Sequence, residues 1–216
     1  MKTLTIAALA LMVGLLATGI ETRAQGLAVT ASGPKKVTIS DKVGKNQFTW
    51  VSTAPLETIN GTAEGITGAF TLDPKKPASL RGTLSAQVAT MKSGNGMRDS
   101  HIQSDQWLNA AAFPTITFTA TSVSGVVVKG NAFTASVVGN FTMHGVTKQV
   151  TVPVTLTYLD ASARTRERAP GDLVMLTADF KVALKDFNVA GSKGVVGSKV
   201  GETISISAKL FGSTGL

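Results

Sequence analysis

FTASVVGNFTMHGVTKQVTVPVTLTY, residues 133–158, decides the fold class. Phe133, Ala135, Val137, Gly139, Phe141 and Met143 fall on one face, and Thr134, Ser136, Asn140 and Thr142 on the other. After a short break the pattern resumes, with Val150, Val152, Val154, Leu156 and Tyr158 set against Gln149, Thr151, Pro153, Thr155 and Thr157. Strict period-two alternation marks half-buried antiparallel strands. His144-Gly145-Val146 between them reads as a tight hairpin connection, with Gly145 free to take positive φ. Pro153 has no N–H to donate, so a bulge or a strand edge is expected there.

The same period extends in both directions. Phe48 and Trp50 alternate near the start, followed by Ile66, Phe70 and Leu72, then Leu84, Ala86 and Val88. Ile116, Phe118 and Ala120 follow. Val174 to Val182 and Ile204 to Leu210 form the last two runs, and Val37 to Ser40 and Val123 to Lys129 add shorter ones. Eight or more closely spaced strands specify an all-β closed barrel or a sandwich. Long strands suit a barrel that encloses a cavity. Inward residues alternate large and small, as in Phe133-Ala135-Val137-Gly139-Phe141. Small inward residues such as Gly139 either leave lumen volume or interdigitate with large partners in a filled core.

One segment breaks the rule. MKSGNGMRDSHIQSDQWLNAAAFPTITF, residues 91–118, reads as a short helical insert capped by Ser93 or Asn95. Met97, His101 and Ile102 share a face, and Arg98 and Asp99 project elsewhere, available to hold a loop or a head group. Asp105 can cap a second turn carrying Trp107 and Leu108, and Pro114 ends the insert. Polar chemistry this concentrated in an all-β chain belongs at the mouth of a barrel or sandwich. The insert either plugs that end or touches a ligand.

Residues 1–24 have the form of an export leader: Lys2, then an apolar run from Leu4 to Leu16, then Thr22-Arg23-Ala24, with cleavage expected before Gln25. The predicted organisation is therefore a signal peptide at 1–24, a flexible N-terminal segment at 25–35 and one barrel domain at 36–213, located in the periplasm or secreted. The chain has no cysteine, which excludes disulfides and thiolate chemistry. Its formal net charge is +8, and loss of the leader, with Lys2, Arg23 and Glu21, takes it to +7. Basic residues are dispersed without aromatic interleaving, so transient contact with an anionic membrane surface is expected rather than nucleic-acid binding. Residues 160–172, with Arg164, Arg166 and Arg168, read as a solvated hairpin loop. Residues 191–201, GSKGVVGSKVG, read as a flexible connection lacking phosphate-loop spacing. Only two histidines exist, His101 and His144, and neither lies in a metal-binding or nucleophile motif. No metal, cofactor or catalytic residue is expected.

MRDSHIQSDQWLNAAAFPTITF (97–118), GNFTMHGVTKQVTVPV (139–154) and VGETISI (200–206) together resemble the YceI-like family, the lipocalin-like polyisoprenoid-binding proteins exported by bacteria. The likeness runs over roughly residues 36–211. Arg98 and His101 match the family's short helix, and His144 to Lys148 its hairpin. Where the family carries Asp-Phe-Gly before the last strand, this chain has Asp186-Phe187-Asn188. The resemblance implies an eight-stranded antiparallel lipocalin-like barrel whose apolar interior holds a long isoprenoid or fatty-acid-like chain, without catalysis. On that reading the candidate ligand contacts are Trp50, Phe70, Phe118, Phe133, Val137 and Phe141 in the barrel, with Met97, Arg98, Asp99 and His101 on the insert. The alternative is a secreted structural or stress-response domain with a filled barrel, acting through protein contacts.

Overall fold

The computed structural model describes residues 25–216, and the expected leader at 1–24 lies outside the described residues. Ten strands follow in order: β1 Lys35–Ile39, β2 Gln47–Thr53, β3 Thr58–Glu64, β4 Thr67–Asp73, β5 Lys76–Gln87, β6 Thr115–Lys129, β7 Ala132–Met143, β8 Val146–Leu159, β9 Leu173–Ala183 and β10 Thr203–Ser213. Two α-helices interrupt them among the described residues, α1 Gly96–Gln103 and α2 Ala163–Arg166.

All pairings between these strands are antiparallel, and β1 closes the ring by pairing with both β4 and β10. The ten strands make eight staves. β1 and β2 lie end to end along β10, β1 opposite Gly212 and Ser213 and β2 opposite Ile204 to Lys209. β3 and β4 form the next stave in the same way, pairing with β2 and β1 respectively. Asn46, fully buried in the break between β1 and β2, repairs the missing ladder. Its side-chain amide donates to Asp41 Oδ1 and the Gly44 carbonyl at 2.9 Å, and its Oδ1 accepts from the Phe211 N–H at 2.6 Å. Buried backbone groups need such partners.

The hairpin read from the sequence is present. His144 (φ 52) and Gly145 (φ 72) both take positive φ, the two-residue turn that matches strand twist. Pro153 sits in an unbroken ladder with β7 but marks an edge toward β9: β8 and β9 pair only from Val154↔Ala178 to Leu159↔Leu173. Asn188, at the family's glycine position, takes φ 56, a conformation asparagine tolerates well.

One end of the barrel is solid. Tyr158, Leu156, Leu72 and Phe133 are buried there, and Leu27 packs beneath them. The expected flexible segment at 25–35 is instead tied across this end. The Leu27 N–H donates to the Pro74 carbonyl and the Ala28 N–H to the Gly130 carbonyl, both at 2.8 Å. The N–H groups of Thr30 and Ala31 donate to the Asp160 carboxylate at 2.6 and 3.0 Å. The 160–172 loop is likewise more ordered than its composition suggests. Ser162 and Thr165 cap α2 reciprocally, and Asp172 accepts from the Tyr158 hydroxyl and the Ala161 N–H. Burial and the Asp172 carboxylate push the Tyr158 phenol well above its ordinary pKa.

Desolvation alone would raise the Asp160 carboxyl pKa, but the Thr30 and Ala31 donors outweigh it, with Lys75 adding to them, and hold it below its ordinary value. A depressed folded-state pKa contributes stability above the unfolded carboxylate value of about 4, and that contribution is lost as pH falls through the folded value. Asp160→Ala is therefore expected to release residues 25–31 at neutral pH, and acidification to do the same to the wild type. Amide hydrogen exchange at Thr30 and Ala31 measures both; protection unchanged in Asp160→Ala would show that the segment is held by the Leu27 and Ala28 contacts without Asp160.

Candidate ligand-binding cavity

A cavity of about 450 Å³ runs from the open end of the barrel toward the solid one. Its walls are the inward faces of the strands: Trp50, Ile66, Phe70, Leu84, Phe118, Val137, Phe141, Phe180, Val182 and Ile206 among them. Polar groups concentrate at the mouth, where Glu57, Asn95, Arg98, His101 and Lys199 stand. Deeper, the Ser52 hydroxyl is occupied in accepting from the Gly201 N–H at 2.8 Å.

The glycines of this wall contribute no free volume, contrary to the reading of Gly139 as lumen space. A Cβ on Gly139 would meet the Phe118 ring at 2.4 Å, one on Gly61 the Trp50 ring at 2.1 Å, and one on Gly82 the Phe70 Cβ at 2.5 Å. Trp50 and Gly61 are direct cross-strand partners, as are Phe70 and Gly82; Phe118 reaches Gly139 diagonally, two residues along β6 from the Ala120↔Gly139 pair. The Trp50 and Phe118 rings therefore lie along the barrel wall, each over a position without a side chain. An aromatic at an inward position ordinarily projects toward the axis. Here it lies flat, and the axis stays open.

The wall is incomplete between β8 and β9. Toward the mouth, β8 and β9 part beyond Val154↔Ala178, where Pro153 offers no donor on the β9 side. Phe141 fills the seam from inside, with edge-to-face contacts to Phe180 at 5.8 Å and Phe187 at 5.5 Å between ring centroids. The His144 Nδ1–H donates to the Phe187 carbonyl at 3.1 Å, and Phe113 packs edge-on against the same imidazole. His144 thus serves the wall.

At the mouth, α1 starts at Asn95, whose side chain accepts from the Arg98 N–H at 3.1 Å, and ends at Ser104, whose hydroxyl donates to the His101 carbonyl. The second turn expected at Asp105 is irregular, though Trp107 and Leu108 still pack inward. The Arg98 guanidinium pairs with Glu57 in the β2–β3 turn at 2.5 Å, joining insert to barrel rim. Asp99 turns away from the lumen. It accepts from the Ser93 N–H at 2.6 Å and hydroxyl at 2.7 Å, and these two bonds, the hydroxyl first, hold its pKa below the ordinary carboxylate range.

The candidate residues thus separate. Trp50, Phe70, Phe118, Val137 and Phe141 line the lumen, and Met97, Arg98 and His101 line its mouth. Two do not reach it: Phe133 is buried in the solid end at 1% exposure, and Asp99 fixes the loop before α1. Sequence reasoning missed Glu57, which carries no local signal. It also missed Val195, Lys199 and Val200 of the 191–201 loop, which line the mouth although their stretch reads as a flexible connection. Ile66, Leu84, Phe180, Val182 and Ile206 were legible as inward positions of other strands. Among the described residues, no three His, Asp or Glu side chains gather as a metal site.

Residues 35–211 match the family described as the YceI-like domain. Protein YceI of Salmonella arizonae is 32% identical over 148 residues, covering 68% of this chain and 71% of that protein. Among solved structures, BcnA of Burkholderia cenocepacia superposes with a TM-score of 0.62 at 22% identity, over 77% of this chain and 95% of that one. A polyisoprenoid binding domain from Saccharophagus degradans, implicated in plant cell wall breakdown, gives 0.60 at 12% identity, over 84% and 99%. At these identities the two structures share the fold.

The Arg98–Glu57 pair is about one-third exposed on each side, so it adds little to global stability. It ties α1 to the rim through the β2–β3 turn. Arg98→Ala is expected to leave thermal unfolding within about 1 kcal/mol of the wild type while speeding release of a fluorescent long-chain probe in stopped-flow. An unchanged release rate in folded, loaded protein would place the barrier to exchange elsewhere.

Proposed function

This chain belongs to the YceI-like family, and we propose that its barrel is a carrier for a long-chain isoprenoid or fatty amphiphile, acting after export to the periplasm and without catalysis. The apolar lumen carries this reading. Its charged groups stand at one end, so an amphiphile would enter chain first and leave its head among Arg98, His101 and Lys199. Each methylene taken from water contributes roughly 0.8 kcal/mol before ordering costs. Chain burial therefore supplies affinity, and the mouth residues supply orientation.

Several observations support the details. The solved domain from Saccharophagus degradans that shares this fold is described as binding polyisoprenoid. The form of residues 1–24 supports export. The two histidines serve separate places, His144 bonded to the Phe187 carbonyl and His101 at the mouth, while Asp99 is occupied by Ser93, an arrangement that favours binding over proton transfer. A filled barrel acting only through protein contacts fits less well with a lumen of about 450 Å³.

Native mass spectrometry of the exported protein, purified without detergent, tests the proposal in one spectrum. The expected species is a chain beginning at Gln25 with a long-chain adduct. A ligand-free mass, in protein that also fails to take up added long-chain lipid, would overturn the carrier reading; an intact Met1 would overturn export alone.

A further inference from the structure

The two ends of the barrel differ in charge. At the mouth, the connecting segments 54–57, 88–114 and 184–202 hold five Lys and Arg and five Asp and Glu, a balance of zero. At the solid end, β1 begins beside the β4–β5 turn, and residues 35–36, 73–76, 129–131 and 160–172 together hold eight Lys and Arg against four Asp and Glu. That is an excess of four positive charges on one face. The carboxylates there are turned to internal donors: Asp160 to Thr30 and Ala31, Asp172 to Tyr158 and Ala161, Asp73 to the Lys75 N–H. Glu167 alone remains exposed without such a bond. Arg164, Arg166 and Arg168 are exposed on and just after α2 and form no ion pair among the described residues.

Apolar side chains accompany this charge. Leu159 at 45% exposure enters the arginine-bearing loop, Leu216 at 42% lies beside it through the Thr214–Asp172 backbone bond, and Val127 at 65% precedes the β6–β7 turn. Cations interleaved with exposed aliphatics fit a bilayer interface, where the cations meet lipid phosphates and the aliphatics enter the head-group boundary. A soluble polyanion would use the cations and leave the aliphatics in water.

We infer that the solid end is a docking face for an anionic phospholipid bilayer, held chiefly by Arg164, Arg166 and Arg168, with the lumen mouth pointing away from the membrane. This orientation goes beyond the carrier reading and does not depend on the cargo. It means that cargo at a docked protein is exchanged with the aqueous side, where Leu56 and Met97 stand exposed on the rim.

Co-sedimentation of the mature chain with vesicles separates the possibilities. The wild type is expected to bind phosphatidylglycerol–phosphatidylcholine vesicles, to leave pure phosphatidylcholine vesicles in solution, and to lose binding as salt rises. Replacing Arg164, Arg166 and Arg168 together by Ala should weaken partitioning on the order of a hundredfold. Leu56→Ser with Met97→Ser, at the opposite end, should not change it. Thermal unfolding of each variant controls for folding, and the wild-type lipid and salt dependence stands without any variant. Loss of binding in the rim variant but not the arginine variant would overturn the inference. So would equal binding to uncharged vesicles, or binding to heparin without binding to anionic vesicles.

Discussion

Two aromatic rings lie over two glycines, and the open lumen depends on them. Trp50 over Gly61 and Phe118 over Gly139 each set a large apolar surface along the wall instead of across the axis. The barrel gains the burial of its aromatics without losing its interior. Glycine in a strand ordinarily weakens it, and a ring packed over the backbone offsets that loss. A backbone atom also closes on each of the two missing Cβ positions, Lys92 O and Thr119 O respectively, so there is no room for a methyl group at either of them. The sites are fixed as glycine by contact from two directions.

The consequences divide along the barrel. Toward the solid end, Leu27, Leu72, Phe133, Leu156 and Tyr158 fill the interior, and the N-terminal segment is bonded across it by backbone donors. Toward the mouth, the interior is lined but not filled, β8 and β9 separate, and closure rests on side chains: the Phe141, Phe180 and Phe187 rings, the Arg98–Glu57 pair and the turns of 191–201. Regions held by side chains open at lower free energy than regions held by ladders. The gradient from solid to open end therefore places motion where cargo must pass.

Much of the barrel was legible because alternation is a direct image of burial. β7 and β8 read correctly, including the two-residue turn at His144-Gly145 and the edge at Pro153. β3 gave no such signal, since its inward positions, Ile59, Gly61 and Ala63, include only one large residue. β6 read as two pieces because register shifts between Ala120 and Ser122 and between Ser124 and Val127 disturb its alternation. The ring-over-glycine pairs were invisible for a different reason. A glycine opposite an aromatic and a glycine facing empty space look the same in one dimension, and only cross-strand register distinguishes them. Asp99 and Phe133 were misplaced as lumen contacts on similar grounds: the first shares a helix with true mouth residues, and the second shares a face with lumen residues but sits one level too deep. The tethering of residues 25–31 rests on partners far along the chain, Pro74, Gly130 and Asp160, and leaves no local trace.

Rings resting on glycine keep the lumen open, and the substitution Gly139→Ala tests this most directly. The added methyl conflicts with the Phe118 ring and the Thr119 carbonyl, so the ring must turn toward the axis, at a cost of about 1–3 kcal/mol in stability. The measurement is affinity across a series of fatty acids of increasing chain length, by displacement of a fluorescent probe, in folded Gly139→Ala and wild-type protein. The account expects the variant to lose affinity progressively as the chain grows long enough to pass Phe118, while short chains bind as before. Equal affinity at every length would contradict it, and would mean that the lumen is set by the backbone of the barrel and not by where its aromatics lie.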